Sequence, residues 1–405
     1  MESEHSRTAQ SARRALLLSV YVPTALLSLA EGILLPTLPL YALDFDVSFA
    51  VASLVLSAAG IGTLIADVPA GMLLGRMGLK PTMLLGAGMV IFGTFMIGLA
   101  GSIEQIIAFR LISGVGTALW GLSRHAFITE SIDPRQRGRA ISVFGGINRI
   151  GMFGGPAVGG VIGTAFGLSA SFFVAAGLGM VGLVVSYFYV KDTRVVVHSD
   201  RGMRWGLVRN MIRTNWRDLG AASIAQTFAQ LIRSGRQTII PFYGASVLGL
   251  GVAEVGLIQT ASSSVDMLLF IPAGLLMDHF GRKVAAVPSF AIMGVGMVLI
   301  PFATSYIMLM GAAVLIGIGN GLGSGSMMTL GADLAPSGAT GEFLGLWRLI
   351  GDSGRATGPL AVGSLTDSLG FEYTAYILAG FGVGAALILA ALVKETRVVE
   401  VRSTG

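Results

Sequence analysis

Shifted back by 203 residues, the second half of this chain falls on the first with its punctuation in register. Gly71 meets Gly274, Gly78 meets Gly281 and Lys80 meets Lys283. Gly114 and Gly116 meet Gly317 and Gly319, and Gly138 meets Gly341. Gly151, Gly155 and Pro156 meet Gly354, Gly358 and Pro359, and Gly167 meets Gly370. With 58 glycines in 405 residues, isolated coincidences are expected. Matches clustered in the same short motifs, with no gap over about 100 residues, mark an internal duplication.

The duplicated unit is apolar throughout. Hydrophobic residues make up 53% of the chain and charged residues 12%, about half the charge of an ordinary soluble domain. Segments of roughly 20 apolar residues cross a bilayer as helices. Twelve such spans are predicted, near 15–43, 48–74, 81–100, 105–128, 140–165, 169–190, 219–244, 252–276, 284–303, 306–330, 343–365 and 372–393. The expected fold is an all-α membrane protein of two pseudo-symmetric six-helix bundles. Its parts are a tail (1–14), a first bundle (15–190), a basic linker (191–218), a second bundle (219–393) and a tail (394–405). Arg13 and Arg14 precede an apolar stretch about twice the length of a signal-peptide core, so the first span is read as retained.

Lys and Arg collect in cytoplasmic loops. The loops near 44–47, 101–104, 166–168, 245–251, 304–305 and 366–371 carry neither, whereas the alternate loops and both tails carry Arg7, Arg76, Lys80, Arg135, Arg282, Lys283 and others. The chain is therefore expected in the cell (inner) membrane with both termini cytoplasmic. The formal charge of +5 reports this topology and requires no nucleic-acid partner. In the linker, Arg201, Arg204, Arg209, Arg213 and Arg217 interleave with Trp205, Met211 and Trp216. That pattern fits either a basic amphipathic helix on the anionic leaflet or a solvated tether.

Several activities are excluded. There is no cysteine, so thiol catalysis and disulfides are absent. No phosphate-binding G-x-x-x-x-G-K-[ST] loop and no H-E-x-x-H motif occurs, and four scattered histidines make no metal site. Neither an enzyme nor a cofactor is expected, and a non-transporting receptor lacks its sensor domain. Two like-built bundles are instead the architecture of secondary transporters.

Charges inside spans are expensive and face protein or a wet cavity. The third, sixth, ninth and twelfth spans have none in their interiors and are expected to face lipid. Glu31 lies near the middle of the first span. Low dielectric disfavours its charged form, so it is the candidate for carrying a proton, in competition with a permanent ion pair to Arg149 or Arg110. Arg233 and Arg236 share a helical face. Unpaired, they would hold an anion; paired with Glu31, Asp67 or Asp266, they would be neutral. Arg348, Asp352 and Arg355 form a one-face cluster that reads as a local salt bridge, with Asp352 a further proton-coupling candidate. Gln226, Gln230 and Asn320 complete the candidate substrate lining with Glu31, Arg149, Arg233, Arg236, Asp266 and Arg355. His125 and His279 are read as structural.

Four motifs carry a family resemblance. Gly274-Leu-Leu-Met-Asp278-His-Phe-Gly281-Arg282-Lys283 follows the eighth span, and its first-half copy is Gly71-Met-Leu-Leu-Gly75-Arg76-Met-Gly78-Leu-Lys80. Arg110-Leu-Ile-Ser-Gly114-Val-Gly116 lies in the fourth span, Gly151-Met-Phe-Gly154-Gly155-Pro156 in the fifth and Pro36-Thr-Leu-Pro39 in the first. Over residues 15 to about 395 the chain resembles the major facilitator superfamily, and within it the twelve-span drug/proton antiporter branch. The resemblance implies that the G-x-x-x-D-x-x-G-R-K loop latches helix ends and biases a conformational switch. It ties Arg110 to proton coupling and makes the Gly151, Gly155, Pro156 segment the exporter motif. Gly75 stands where the first-half latch needs an acid. The implied function is proton-coupled export of a small amphipathic or cationic compound by alternating access, by a monomer. The alternative cargo is an anionic metabolite or lipid headgroup held by Arg233 and Arg236.

Overall fold

The structure is a computed structural model that describes residues 17–131, 134–190, 205–336 and 339–395. The predicted first tail, the linker up to 204 (with Arg201 and Arg204) and the last ten residues lie outside the described residues.

A π-helical turn, Leu17–Tyr21, leads into α1 (Val22–Leu43). Then come α2 (Phe49–Met77), α3 (Leu79–Ile97), α4 (Ile103–Ser131), α5 (Pro134–Phe166), α6 (Leu168–Tyr189) and the short α7 (Trp205–Thr214). The second half continues with α8 (Trp216–Ser246), α9 (Val252–Phe280), α10 (Arg282–Leu299), α11 (Tyr306–Leu322), α12 (Ser326–Leu334) and α13 (Thr340–Ala391). Among the described residues, nine helices are long and apolar enough to cross a membrane. One of them, α13, is two spans that meet at a kink, where Gly370 holds φ 84°. The helices α5 and α8 fall short on composition. Glycines dilute α5, and α8 carries Gln226, Gln230, Arg233 and Arg236 along its length. Counting both and the two arms of α13, the arrangement accommodates the expected twelve crossings.

Three boundaries differ from expectation. The fifth span begins at Pro134 rather than 140, because Pro is well placed in a first helical turn. The tenth span, expected through 330, stops at Leu322; Gly325 takes φ 80° and α12 restarts the helix at Ser326. The linker stretch 205–214 is a helix rather than a tether.

The chain divides into two compact units. One runs to His198 and includes Pro241–Thr260; the other comprises Ser199–Ile240 and Ala261–Gly405. In the first, α1 packs on α5 and α6, α2 on α4, and α3 on α4 and α6. In the second, α10 packs on α11 and α13.

The 203-residue offset holds inside these units as contacts. A Cβ on Gly114 would strike the Ala59 carbonyl, and one on Gly317 would strike that of Ser262, 203 residues further on. A Cβ on Gly116 would lie 2.6 Å from the Gly86 carbonyl oxygen, and one on Gly319 2.7 Å from that of Ser289. The turn glycines repeat too: φ is 85° at Gly78 and 101° at Gly281, 88° at Gly167 and 84° at Gly370. Small residues at these places let helix backbones touch, which supplies dispersion where lipid removes the hydrophobic drive between helices. Phe92 and Phe95 of α3, Val181 and Phe188 of α6, Val295 of α10 and Leu387 of α13 are exposed. These four helices were expected to face lipid.

Candidate functional site

In the first unit α1 and α5 meet backbone to backbone. A Cβ on Gly32 would lie 2.7 Å from the Gly151 carbonyl oxygen and 2.9 Å from the Gly155 Cα. A Cβ on Gly155 would strike Gly32, and one on Gly159 would strike Ile33. One turn earlier, Asn148 Nδ2 donates to Ser28 Oγ at 2.7 Å. Pro156, Pro36 and Pro39 all lie within their helices, where each removes a backbone donor.

Glu31 sits one residue before this joint. Its side chain is exposed although it lies mid-span, and its charge reaches Arg110 on α4. The Arg110 Nε atom is buried with no hydrogen-bond partner. A buried guanidinium depends on a counter-charge, so protonating Glu31 changes the electrostatics of α4 as well as of α1. Arg149, next to Asn148 on α5, is half-buried. Asp67 on α2 is half-buried as well.

In the second unit the acids and arginines are brought together. Asp266 on α9 accepts a hydrogen bond from Asn320 Nδ2 at 2.6 Å and lies 3.5 Å from Arg236 Nη2. Arg233 donates from Nη2 to the Gly323 carbonyl at 2.9 Å and lies over the Phe290 ring, 5.0 Å from its centroid. Arg236 thus has an acid beside it, whereas Arg233 is engaged by a carbonyl and a ring. Arg348 Nε meets Asp352 Oδ2 at 3.2 Å across one helical turn, the local pair anticipated; Arg355 is exposed. Gln226 is buried with its Oε1 unpartnered, and Gln230 is half-buried. In the first unit, sequence reasoning missed Gln259 on α9, which is buried with neither amide atom hydrogen-bonded. An unpaired buried amide costs about 1–3 kcal/mol, so these groups are poised to take a polar partner. His125 and His279 each bond a carbonyl one turn back on their own helices.

In the switch loop Arg282 and Lys283 tie the start of α10 to other helices. Asp278 is largely exposed, 3.8 Å from Arg282 in the i,i+4 position. Arg282 instead pairs through Nε with Asp333 of α12 at 2.9 Å. Glu395 caps the start of α10: its two oxygens accept the backbone N–H groups of Arg282 at 2.8 Å and Lys283 at 3.0 Å. A carboxylate there satisfies orphan donors and complements the helix dipole. Lys283 Nζ donates to the Ala390 carbonyl at 2.9 Å. Its first-half mate Lys80 lies 5.0 Å over the ring of Tyr187, the residue 203 before Ala390. Gly71 and Gly274 make no close approach, since a Cβ there would meet nothing nearer than 3.8 Å; Arg76 is exposed. The missed residues had a signal: Glu130 and Asp192 stand 203 residues before Asp333 and Glu395. Asp333→Asn is expected to lower the detergent melting temperature by several degrees, because a half-buried Arg282 loses its charge partner at about 1–3 kcal/mol. Asp278→Asn is expected to change it by less than one degree, as exposed pairs contribute little.

Comparison with known proteins places this geometry. The sequence model of the Major Facilitator Superfamily matches residues 21–251 and again residues 222–405. The chain belongs to the Major Facilitator Superfamily. An uncharacterized MFS-type transporter of Methanocaldococcus jannaschii is 20% identical over 91% of this chain and 96% of its own length. The synaptic vesicular amine transporter of Mus musculus is 22% identical over 76% of this chain and 59% of that protein. The tetracenomycin C resistance and export protein of Streptomyces glaucescens is 24% identical over 63% of this chain and 51% of that one. Among solved structures, that of the nucleoside transporter NupG superposes with a TM-score of 0.77 at 15% identity, covering 94% of this chain and all of the other. This superfamily member is thus a multi-pass membrane transporter and not an enzyme.

Proposed function

We propose that this chain exports small amphipathic or cationic compounds in exchange for protons, from a cell membrane in which both termini are cytoplasmic. The observation that carries the reading is Glu31: a carboxylate in the middle of α1, exposed, electrostatically linked to Arg110, and one residue from the backbone joint of α1 with α5. Cation binding displaces the proton of Glu31, and reprotonation on the outer side releases the cargo. The counter-charge on Arg110 and the α1–α5 joint change with each step. Relatives named for amine transport and for tetracenomycin C resistance and export support this cargo class. The engagement of Arg233 and Arg236 by Gly323 and Asp266 weighs against an anion as cargo.

The energetics suffice. A charge crossing the membrane gains about 2.3 kcal/mol per 100 mV. One proton exchanged for one monovalent cation moves no net charge, so this potential does no work on the exchange; the pH difference drives it, and about 2 pH units, at about tenfold per unit, support a gradient of about a hundredfold. The test is accumulation of a fluorescent organic cation in inverted membrane vesicles with an imposed pH gradient. Accumulation that collapses with a protonophore is expected; accumulation indifferent to it rejects the reading.

A further inference from the structure

The second unit contains a cavity that the transport reading does not use. Its volume is about 240 Å³ and its walls are almost wholly apolar. Ile212 of α7, Trp216, Leu219 and Gly220 of α8, and Phe343 and Trp347 of α13 line it. Such a space is below the usual range for drug-sized ligands, about 300–1,000 Å³, and suits a narrow chain.

The surroundings are basic. Arg209, Arg213 and Arg217 are exposed beside the cavity on α7 and the start of α8. At about 100° per residue, Arg209 and Arg213 lie roughly 60° and 100° around α7 from the cavity-lining Ile212, on the same side of it. Arg217 lies 5.3 Å from the ring centroid of Trp216, and that indole is 62% exposed. The acid nearest in sequence, Asp218, is held by Lys394 at 3.5 Å; Glu342 stands in the first turn of α13. An apolar slot rimmed by three arginines and an amphipathic indole has the chemistry of an anionic lipid: basic side chains for the headgroup phosphate, hydrocarbon for the chain.

We propose that this cavity seats one acyl chain of an anionic phospholipid, with Arg213 and Arg217 on its phosphate, so that the lipid joins α7 to the start of α8 and to α13. The site goes beyond the export reading, and its test in detergent depends on neither cargo nor sidedness.

The experiment is native mass spectrometry of the purified full chain with dioleoylphosphatidylglycerol or dioleoylphosphatidylcholine. The wild type is expected to hold one phosphatidylglycerol about tenfold more tightly than phosphatidylcholine. Each arginine near an anionic headgroup is worth roughly fivefold, so Arg213→Ala with Arg217→Ala is expected to weaken phosphatidylglycerol by about 10- to 30-fold. Gly220→Leu fills the slot. A Cβ at Gly220 meets nothing within 4 Å, so the variant accommodates its side chain, and the tight equivalent is expected to vanish. Gly220→Ala, which leaves most of the space, retains it. Equal retention of the two lipids overturns the proposal. So does unchanged binding in Gly220→Leu or in the double arginine variant, and so does displacement of the lipid by tetraphenylphosphonium, which would make the cavity a cargo site.

Discussion

Glu31→Gln is expected to reduce cation accumulation in vesicles from about a hundredfold to near unity while the protein still inserts and purifies as wild type. Gln keeps the volume and polarity of the side chain but fixes it in a form that never exchanges a proton. The hundredfold figure follows from an imposed difference of about 2 pH units, at about tenfold per unit for one proton exchanged per cation. Glu31→Asp, which retains the titrating group, is expected to keep measurable accumulation with a shifted pH profile. If the loss were only structural, both variants would fail together and both would melt early in detergent. The roles of Asp352 and Asp266 are tested the same way. Asp352 already has Arg348, and Asp266 already has Arg236 and Asn320. Asp352→Asn is therefore expected to leave the coupling intact.

Gly155→Leu is expected to abolish folded, monodisperse protein. The side chain would enter a joint where both walls are backbone, Gly32 on α1 facing Gly155 on α5. Overpacking usually costs about 1–3 kcal/mol when side chains can yield, and here none can. The neighbouring Gly154→Leu is the internal control. A Cβ there meets only a Leu29 methyl, at 4.0 Å, and its melting temperature is expected within two degrees of wild type. Gly154→Leu and Gly155→Leu together separate a requirement for a small residue at one position from a general intolerance of bulk in α5. Thermal melts monitored by size-exclusion chromatography read both.

The repeat explains how much of the molecule was legible beforehand. The offset of 203 residues predicted that Gly167 and Gly370 play one role, and both take the same left-handed turn. It also matched Gly114 with Gly317, and their contacts, Ala59 and Ser262, stand at the same offset. Backbone geometry of this kind is written locally, because only glycine tolerates such φ values or such proximity. The partners of charges are not written locally. Arg282 has an acid four residues earlier, at Asp278, and lies 3.8 Å from it. Its shorter pair, at 2.9 Å, is with Asp333, 51 residues away, because the turn at Gly281 brings the start of α10 to α12. Asn320 as the donor to Asp266 is equally nonlocal. The break of the tenth span at Gly323–Gly325 was hidden because Gly-rich apolar sequence reads the same whether the helix continues or turns.

Gly281→Ala adds a further check on the switch loop. Its φ of 101° is a region open essentially to glycine, and an added Cβ would sit 2.7 Å from the Glu395 carboxyl carbon. A loss of about 1–3 kcal/mol is expected from the backbone strain, read as a lower melting temperature. Loss of the Glu395 cap adds to it, so Gly281→Ala with Glu395→Gln should fall short of the sum of the single effects.

Proton release on substrate binding tests the central claim most directly. Detergent-solubilised protein in weak buffer with a pH indicator is mixed with saturating organic cation. The account predicts about one proton released per bound cation in the wild type, as linkage between a cation and a titrating carboxyl requires, and none in Glu31→Gln. Cation binding with no proton release in the wild type, or the same release in Glu31→Gln, would contradict it.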